Sequence, residues 1–126
     1  MKNVIASSIL FFLLIGFIIY AERDLSKFLT SLTEACEQLE LLINEEEWEA
    51  SYDLSFKTHQ EVKEKALKLS AYINHEDIDC ITEEVFKLTQ YVKEMEKAEA
   101  LASVHSIKHE AEIIYRLQKP TLENIF

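Results

Sequence analysis

The chain has 126 residues, and its 13 basic and 23 acidic side chains give a formal net charge of -10 at pH 7. Because a protein that binds DNA or RNA needs a basic surface, this balance argues against a nucleic-acid partner. The sequence holds one glycine and one proline, and it shows no glycine-rich phosphate loop and no familiar hydrolase or metalloprotease motif. We therefore expect an all-α protein that is not an enzyme and that carries no cofactor.

The first element is an uncharged apolar run of eighteen residues from Val4 to Ala21. As a helix it would span about 27 Å, close to the roughly 30 Å of the hydrocarbon core of a bilayer. Lys2 and the terminal amine precede the run, whereas the charges just after it cancel, so we expect a cytoplasmic N-terminus and residues 22–126 outside. The alternative is a cleaved signal peptide, but Ile19 is bulky at position -3 of the best cleavage site. With so short a cytoplasmic start, no intracellular enzyme or signalling domain is expected.

Apolar residues at alternating spacings of four and three predict the next helix, from about Glu22 to Ile43, as a continuation of the membrane helix. Its apolar stripe is formed by Leu25, Leu29, Leu32, Cys36, Leu39 and Ile43. Asn44 then fits the N-cap of a new helix, with Glu47 at the third helical position. A turn is therefore predicted at Asn44, and a continuous helix through Asn44 is the alternative.

The second predicted helix of the bundle runs from about Glu45 to Ile73, after which Asn74 repeats the capping pattern. The thirty-residue offset between the two asparagines is either a weak repeat of one capped helix or a chance similarity between two capped helices. After Met95 the apolar spacing changes. We therefore expect a bend or turn near residues 96–100 and a fourth helix, and one long helix over residues 76–117 is the alternative.

These elements predict an all-α fold in which a transmembrane helix precedes an antiparallel bundle of three to four helices. The expected divisions are residues 1–21 for a short cytoplasmic start and membrane anchor (or uncleaved signal), residues 22–119 for an extracytoplasmic bundle and residues 120–126 for an apolar C-terminal tail. This layout favours a membrane-anchored interaction or accessory module. Its partners would be the lipid bilayer and either another membrane protein or a second copy. The alternative function is a bundle that senses a ligand or a cation and acts through a membrane partner.

Two groups of residues are candidate sites. His105, His109 and Glu112 can share one face of a helix, so they are the candidate metal ligands, although no fourth ligand is evident from spacing. The candidate interaction residues are the acidic Glu45, Glu46, Glu47 and Glu49 and the apolar Leu122, Ile125 and Phe126 of the tail. In the competing interpretation, the acidic residues form a solvated face that keeps the domain soluble. The tail residues would then cover the open end of the bundle.

Cys36 and Cys80 are the two cysteines of the chain. In an antiparallel bundle they would lie about 20 Å apart along the axis, which is too far for a disulfide within one chain. Both lie on or beside apolar stripes. Buried free thiols are therefore expected, and an intermolecular disulfide is the alternative.

The overall layout resembles that of a known family. The features concerned are the short start before one apolar span, a helix start centred on Trp48, the sequence Ile73-Asn74-His75-Glu76-Asp77-Ile78 and the final Asn124-Ile125-Phe126. They resemble an uncharacterised family of small proteins from Gram-positive, often spore-forming bacteria, the domain of unknown function 4363. The resemblance covers nearly the whole chain and implies no activity or catalytic residue. It does imply a membrane protein as partner, because such proteins are associated with genes for small multi-pass membrane proteins.

Overall fold

The computed structural model describes residues 1–71 and 73–118, and the predicted tail at 120–126 lies outside these ranges. Four helices account for nearly all of the described chain: α1 (Lys2–Asn44), α2 (Trp48–Leu69), α3 (His75–Lys93) and α4 (Lys97–Gln118). No strand occurs within the described ranges. The all-α prediction is confirmed, and residues 76–117 form two helices rather than one.

Helix α1 is continuous from the apolar run into the bundle. We call Val4–Ala21 the apolar segment, and α1 is long and apolar enough there to cross a membrane. Every described side chain before Ala21 is exposed, whereas Ala21 itself and then Leu25 are 6% and 3% exposed. The segment and the first bundle helix are therefore one helix without a break between them.

The four helices form a closed antiparallel bundle. Helix α1 packs against α2 and α4, and α3 packs against the same two helices. The predicted apolar stripe of α1 is confirmed, because all six of its positions are buried. Helix α2 adds Val62 and Leu69 to the core, and α3 adds five apolar side chains. Helix α4 also adds five, Ala100, Val104, Ile107, Ala111 and Ile114.

Helix α2 buries several small polar side chains where it faces the core. Its buried positions include Ser51, Ser55 and Thr58, whereas His59 is half-buried. Each buried hydroxyl donates a hydrogen bond to a carbonyl of its own helix turn, at 2.7–2.9 Å. This satisfies the hydroxyls without any partner from another helix, so small polar residues are tolerated where α2 faces the core.

The turn between α1 and α2 lies later than predicted. Asn44 is the last residue of α1 and does not cap α2, whose first residue is Trp48. Two backbone hydrogen bonds close the turn: the Glu46 N–H donates to the Ile43 carbonyl at 3.0 Å, and the Glu47 N–H donates to the Leu42 carbonyl at 2.9 Å. This is a Schellman ending, which lets α1 continue as far as Asn44 and requires a left-handed residue, here Glu46 with φ 58°.

The turn between α3 and α4 has the same construction. The Met95 N–H donates to the Val92 carbonyl at 3.1 Å, the Glu96 N–H donates to the Tyr91 carbonyl at 2.9 Å, and Met95 has φ 57°. The α2–α3 turn differs, because Asn74 caps α3 as predicted and its side chain accepts from the Glu76 N–H at 3.3 Å. The two asparagines of the thirty-residue offset therefore have different roles.

Candidate functional site: a groove between α1 and α4

A groove of about 690 Å³ runs between the antiparallel helices α1 and α4. Leu29 and Ala111 form its floor, and both are buried side chains of the core. Because the Ala111 side chain ends at Cβ, it leaves space beside α1 that a longer side chain would fill. The groove therefore depends on the pairing of two helices that are far apart in sequence.

The α1 wall of the groove is polar and acidic. Thr30, Thr33, Glu34 and Glu37 line it, at a spacing that puts them on one helix face beside the apolar stripe. The Thr33 hydroxyl donates to the Leu29 carbonyl at 2.9 Å, so its hydrogen is used within the helix. The two glutamates are exposed. This wall was not predicted, although the spacing of its polar residues is visible in the sequence.

The α4 wall carries His105, Lys108 and His109, which are neighbours on one helix face. His105 Nε2 lies 3.2 Å from Glu40 Oε1, and Lys108 Nζ lies 3.8 Å from Glu40 Oε2. Glu40 of α1 thus contacts two side chains of α4 at one end of the groove. These contacts are partly exposed, so they orient the helices more than they stabilise the fold.

The predicted metal ligands His105, His109 and Glu112 all line this groove. Among residues 1–71 and 73–118, however, no three His, Cys, Asp or Glu side chains are arranged so that they could hold a metal ion. The nearest carboxylate partner of His105 is Glu40, from the facing helix and not from its own. The structure gathers the three residues in one groove without arranging them as a ligand set.

The predicted acidic interaction residues lie elsewhere. Glu45, Glu46 and Glu47 form the α1–α2 turn, Glu49 is in the first turn of α2, and all four are exposed. Lys97 links this turn to α4, because its Nζ lies 3.6 Å from Glu46 Oε1 and donates to the Asn44 carbonyl at 3.1 Å. The apolar tail residues Leu122, Ile125 and Phe126 lie outside the described residues.

Comparison with protein families matches residues 19–125 to the domain of unknown function DUF4363. The chain belongs to this family. The match begins at the end of the apolar segment and includes the bundle helices, which confirms the resemblance found in the sequence. No curated protein and no solved structure matches the chain.

The DUF4363 bundle has a second unusual surface, an aromatic cluster on the outside of α2 and α3. Tyr52 and Phe56 are stacked with ring centroids 6.2 Å apart, and His59 contacts Phe86 at 5.7 Å. Phe56 and Phe86 remain 45% and 51% exposed. Partial burial, and secondarily the charge of Lys63, lowers the pKa of His59 below its usual value.

The two thiols of this DUF4363 chain have different environments, and both are free. Cys36 is fully buried in the α1 stripe, and burial raises the pKa of its thiol to about 12. Cys80 is exposed, which corrects the prediction of a second buried thiol. The reason is its position on α3: Cys80 precedes the buried Ile81 in sequence but lies outside the helix face that packs against the core. Partial burial, and then the charge of Glu110, raises the pKa of Cys80.

Proposed function

We propose that this chain is a membrane-anchored, non-enzymatic interaction module that holds the α1–α4 groove close to the outer surface of the cell membrane. The observation that carries the proposal is the continuity of α1. On α1 the groove begins at the floor residue Leu29, eight residues after Ala21, which corresponds to about 12 Å along a helix. A partner in the same membrane could therefore reach the groove without a long extension. The flanking charges support a cytoplasmic N-terminus and an external bundle.

The partner that fits the groove best is a basic amphipathic helix from another membrane protein. The groove is bounded by two helices, has an apolar floor, and carries Glu34, Glu37 and Glu112 along its sides. An amphipathic helix can place apolar residues against Leu29 and Ala111 and basic residues against these carboxylates. A second copy is less suitable, because residues 22–126 carry all 23 acidic and 12 of the 13 basic residues, so copies repel each other.

Site-specific photocrosslinking in intact membranes tests this proposal. A photoreactive residue at Thr30, which is exposed within the groove, should crosslink to a basic segment next to a membrane span of another protein. The double charge reversal Glu34→Lys with Glu37→Lys should abolish that crosslink. The matched control, Glu83→Lys with Glu99→Lys, changes two exposed glutamates outside the groove and should leave the crosslink intact. Equal crosslinking in both variants, or crosslinks only between copies of this chain, would contradict the proposed partner.

The cation-sensing alternative draws on the two histidines and Glu112 in the groove. It has weaker support, because the described residues hold no three ligand side chains in a metal-binding arrangement. Calorimetric titration of the full chain in detergent with zinc, calcium and manganese would distinguish the two functions. Heat that disappears in His105→Ala with His109→Ala would favour sensing over partner binding.

A further inference from the structure

The three turns of the bundle lie at two different ends. The α1–α2 and α3–α4 turns lie at the end far from the apolar segment, which we call the distal end. The α2–α3 turn, which joins Leu69 to His75, lies at the proximal end, next to the apolar segment. This placement follows from the antiparallel packing, and it is marked by Lys65 Nζ of α2, which lies 3.1 Å from Asp24 Oδ1 of α1. The last turn of α2 is therefore about one helical turn from the end of the apolar segment.

The charge of the turns differs between the two ends. The distal turns contain Glu45, Glu46 and Glu47 in one case and Glu94 and Glu96 in the other. The described residues of the proximal turn, Ser70, Ala71, Ile73 and Asn74, carry no charge, and the first acids of α3, Glu76 and Asp77, follow the turn. Charged carboxylates are costly near a bilayer with anionic headgroups, whereas small polar residues are tolerated there. The described residues of the proximal turn therefore place no carboxylate at a lipid interface, whereas both distal turns hold carboxylates.

Large apolar side chains are exposed at both ends of the bundle, Leu41 and Met95 at the distal end and two leucines at the proximal end. Among the described residues after Tyr20, the two most exposed large apolar side chains are Leu67, at 83%, and Leu117, at 66%. Leu67 is near the end of α2 and Leu117 is near the end of α4, so both lie on the proximal side of the bundle. Exposed basic residues, Lys68 and Arg116, come directly after the first leucine and directly before the second. An apolar side chain beside a long cationic one is typical of a helix that enters the headgroup layer of a membrane.

We infer that the proximal end of the bundle is embedded in the headgroup layer of the bilayer, with Leu67 and Leu117 in contact with lipid. This inference rests on the proposed membrane anchoring, and it adds a second contact that fixes the orientation of the bundle. The interfacial layer is about 5–8 Å thick on each side of the hydrocarbon core. Because α1 enters the bundle without a flexible linker, the proximal turns of α2 and α4 fall within that layer.

Fluorescence quenching of the full chain in lipid nanodiscs tests the contact. The chain has one tryptophan, Trp48, near the distal end, and Trp48→Phe provides a background without a native indole. In that background, the indole introduced by Leu67→Trp or by Leu117→Trp should show blue-shifted emission and strong quenching by lipids that carry a nitroxide near the headgroup. The matched control is Leu41→Trp, because Leu41 is 65% exposed but lies at the distal end of α1. Its indole should emit as in water and be quenched weakly.

Two results separate failure of this inference from failure of the proposed function. Alkaline carbonate extraction of the same protein from cell membranes reports on anchoring alone. A chain that stays in the membrane fraction but shows equal weak quenching at Leu67→Trp and Leu41→Trp would overturn the lipid contact and leave the anchor intact. A chain that is released by carbonate would overturn the anchored function and this inference with it.

Discussion

At the scale of the residue, the left-handed positions stand out because neither is occupied by glycine. Glu46 and Met95 have φ values of 58° and 57°, a region in which a side chain costs roughly 1–2 kcal/mol. The sequence contains a single glycine, and it lies in the apolar segment. Both turns therefore form because their backbone hydrogen bonds and the packing of the joined helices outweigh this local cost.

Met95→Gly should stabilise the bundle, by about 1 kcal/mol, because glycine adopts the left-handed conformation without a Cβ clash. Met95 is 63% exposed, so the substitution removes little buried apolar area. The control is Glu94→Gly, whose backbone is right-handed at φ -88° and which should be neutral or destabilising. Thermal unfolding in detergent, followed by circular dichroism, measures both. A lower midpoint for Met95→Gly than for the unchanged chain would contradict the assigned turn.

At the scale of the element, identical capping patterns lead to different structures. Asn74 caps α3, whereas Asn44 ends α1, although each asparagine follows an isoleucine and precedes acidic residues. The local sequence predicts both as N-caps, and what decides between them is the length of helix that the core requires. At the α1–α2 turn the carbonyls of Leu42 and Ile43 accept the Schellman hydrogen bonds. Helix α1 therefore ends at Asn44, one residue after its predicted end at Ile43.

Asn74→Ala should destabilise the protein by about 1 kcal/mol, because α3 loses the side chain that accepts from its Glu76 N–H. Asn44→Ala provides the matched comparison. Asn44 is exposed and helical, so alanine there should have an effect within about 0.5 kcal/mol of zero. Denaturant titration of both variants measures the difference. Equal losses of stability would mean that Asn44 caps a helix in solution after all.

At the scale of the whole molecule, the described chain combines an exposed apolar segment at one end of the bundle with two acidic turns at the other end. This order is a property of the assembled bundle, because α2, α3 and α4 bring distant residues to each end. In the proposed membrane-anchored state, this order would point the distal end away from the membrane and leave the groove between the two ends. The orientation proposed from the flanking charges can be tested with the native thiols.

A membrane-impermeant maleimide should label Cys80 in intact cells, because Cys80 is exposed and its bundle is proposed to lie outside. Cys36 should stay unlabelled until the protein is unfolded, since it is fully buried and its pKa is about 12. The raised pKa of Cys80 means that its labelling rate should increase as the pH rises. The control Cys80→Ser should remove the signal. Labelling only after permeabilisation would reverse the proposed orientation.

The sequence by itself determined the helices, the apolar stripe of α1, the apolar segment and the family, because helical periodicity and composition are local properties that need no partner. It also identified His105, His109 and Glu112 as residues of one helix face. Only the tertiary structure decided that these residues face Glu34 and Glu37 across a groove, that Cys80 is exposed, and that Asn44 ends α1. These features depend on which helices pack together and on how the helices are aligned along the bundle axis. That choice is made by burial of the whole core and not by any short stretch of sequence.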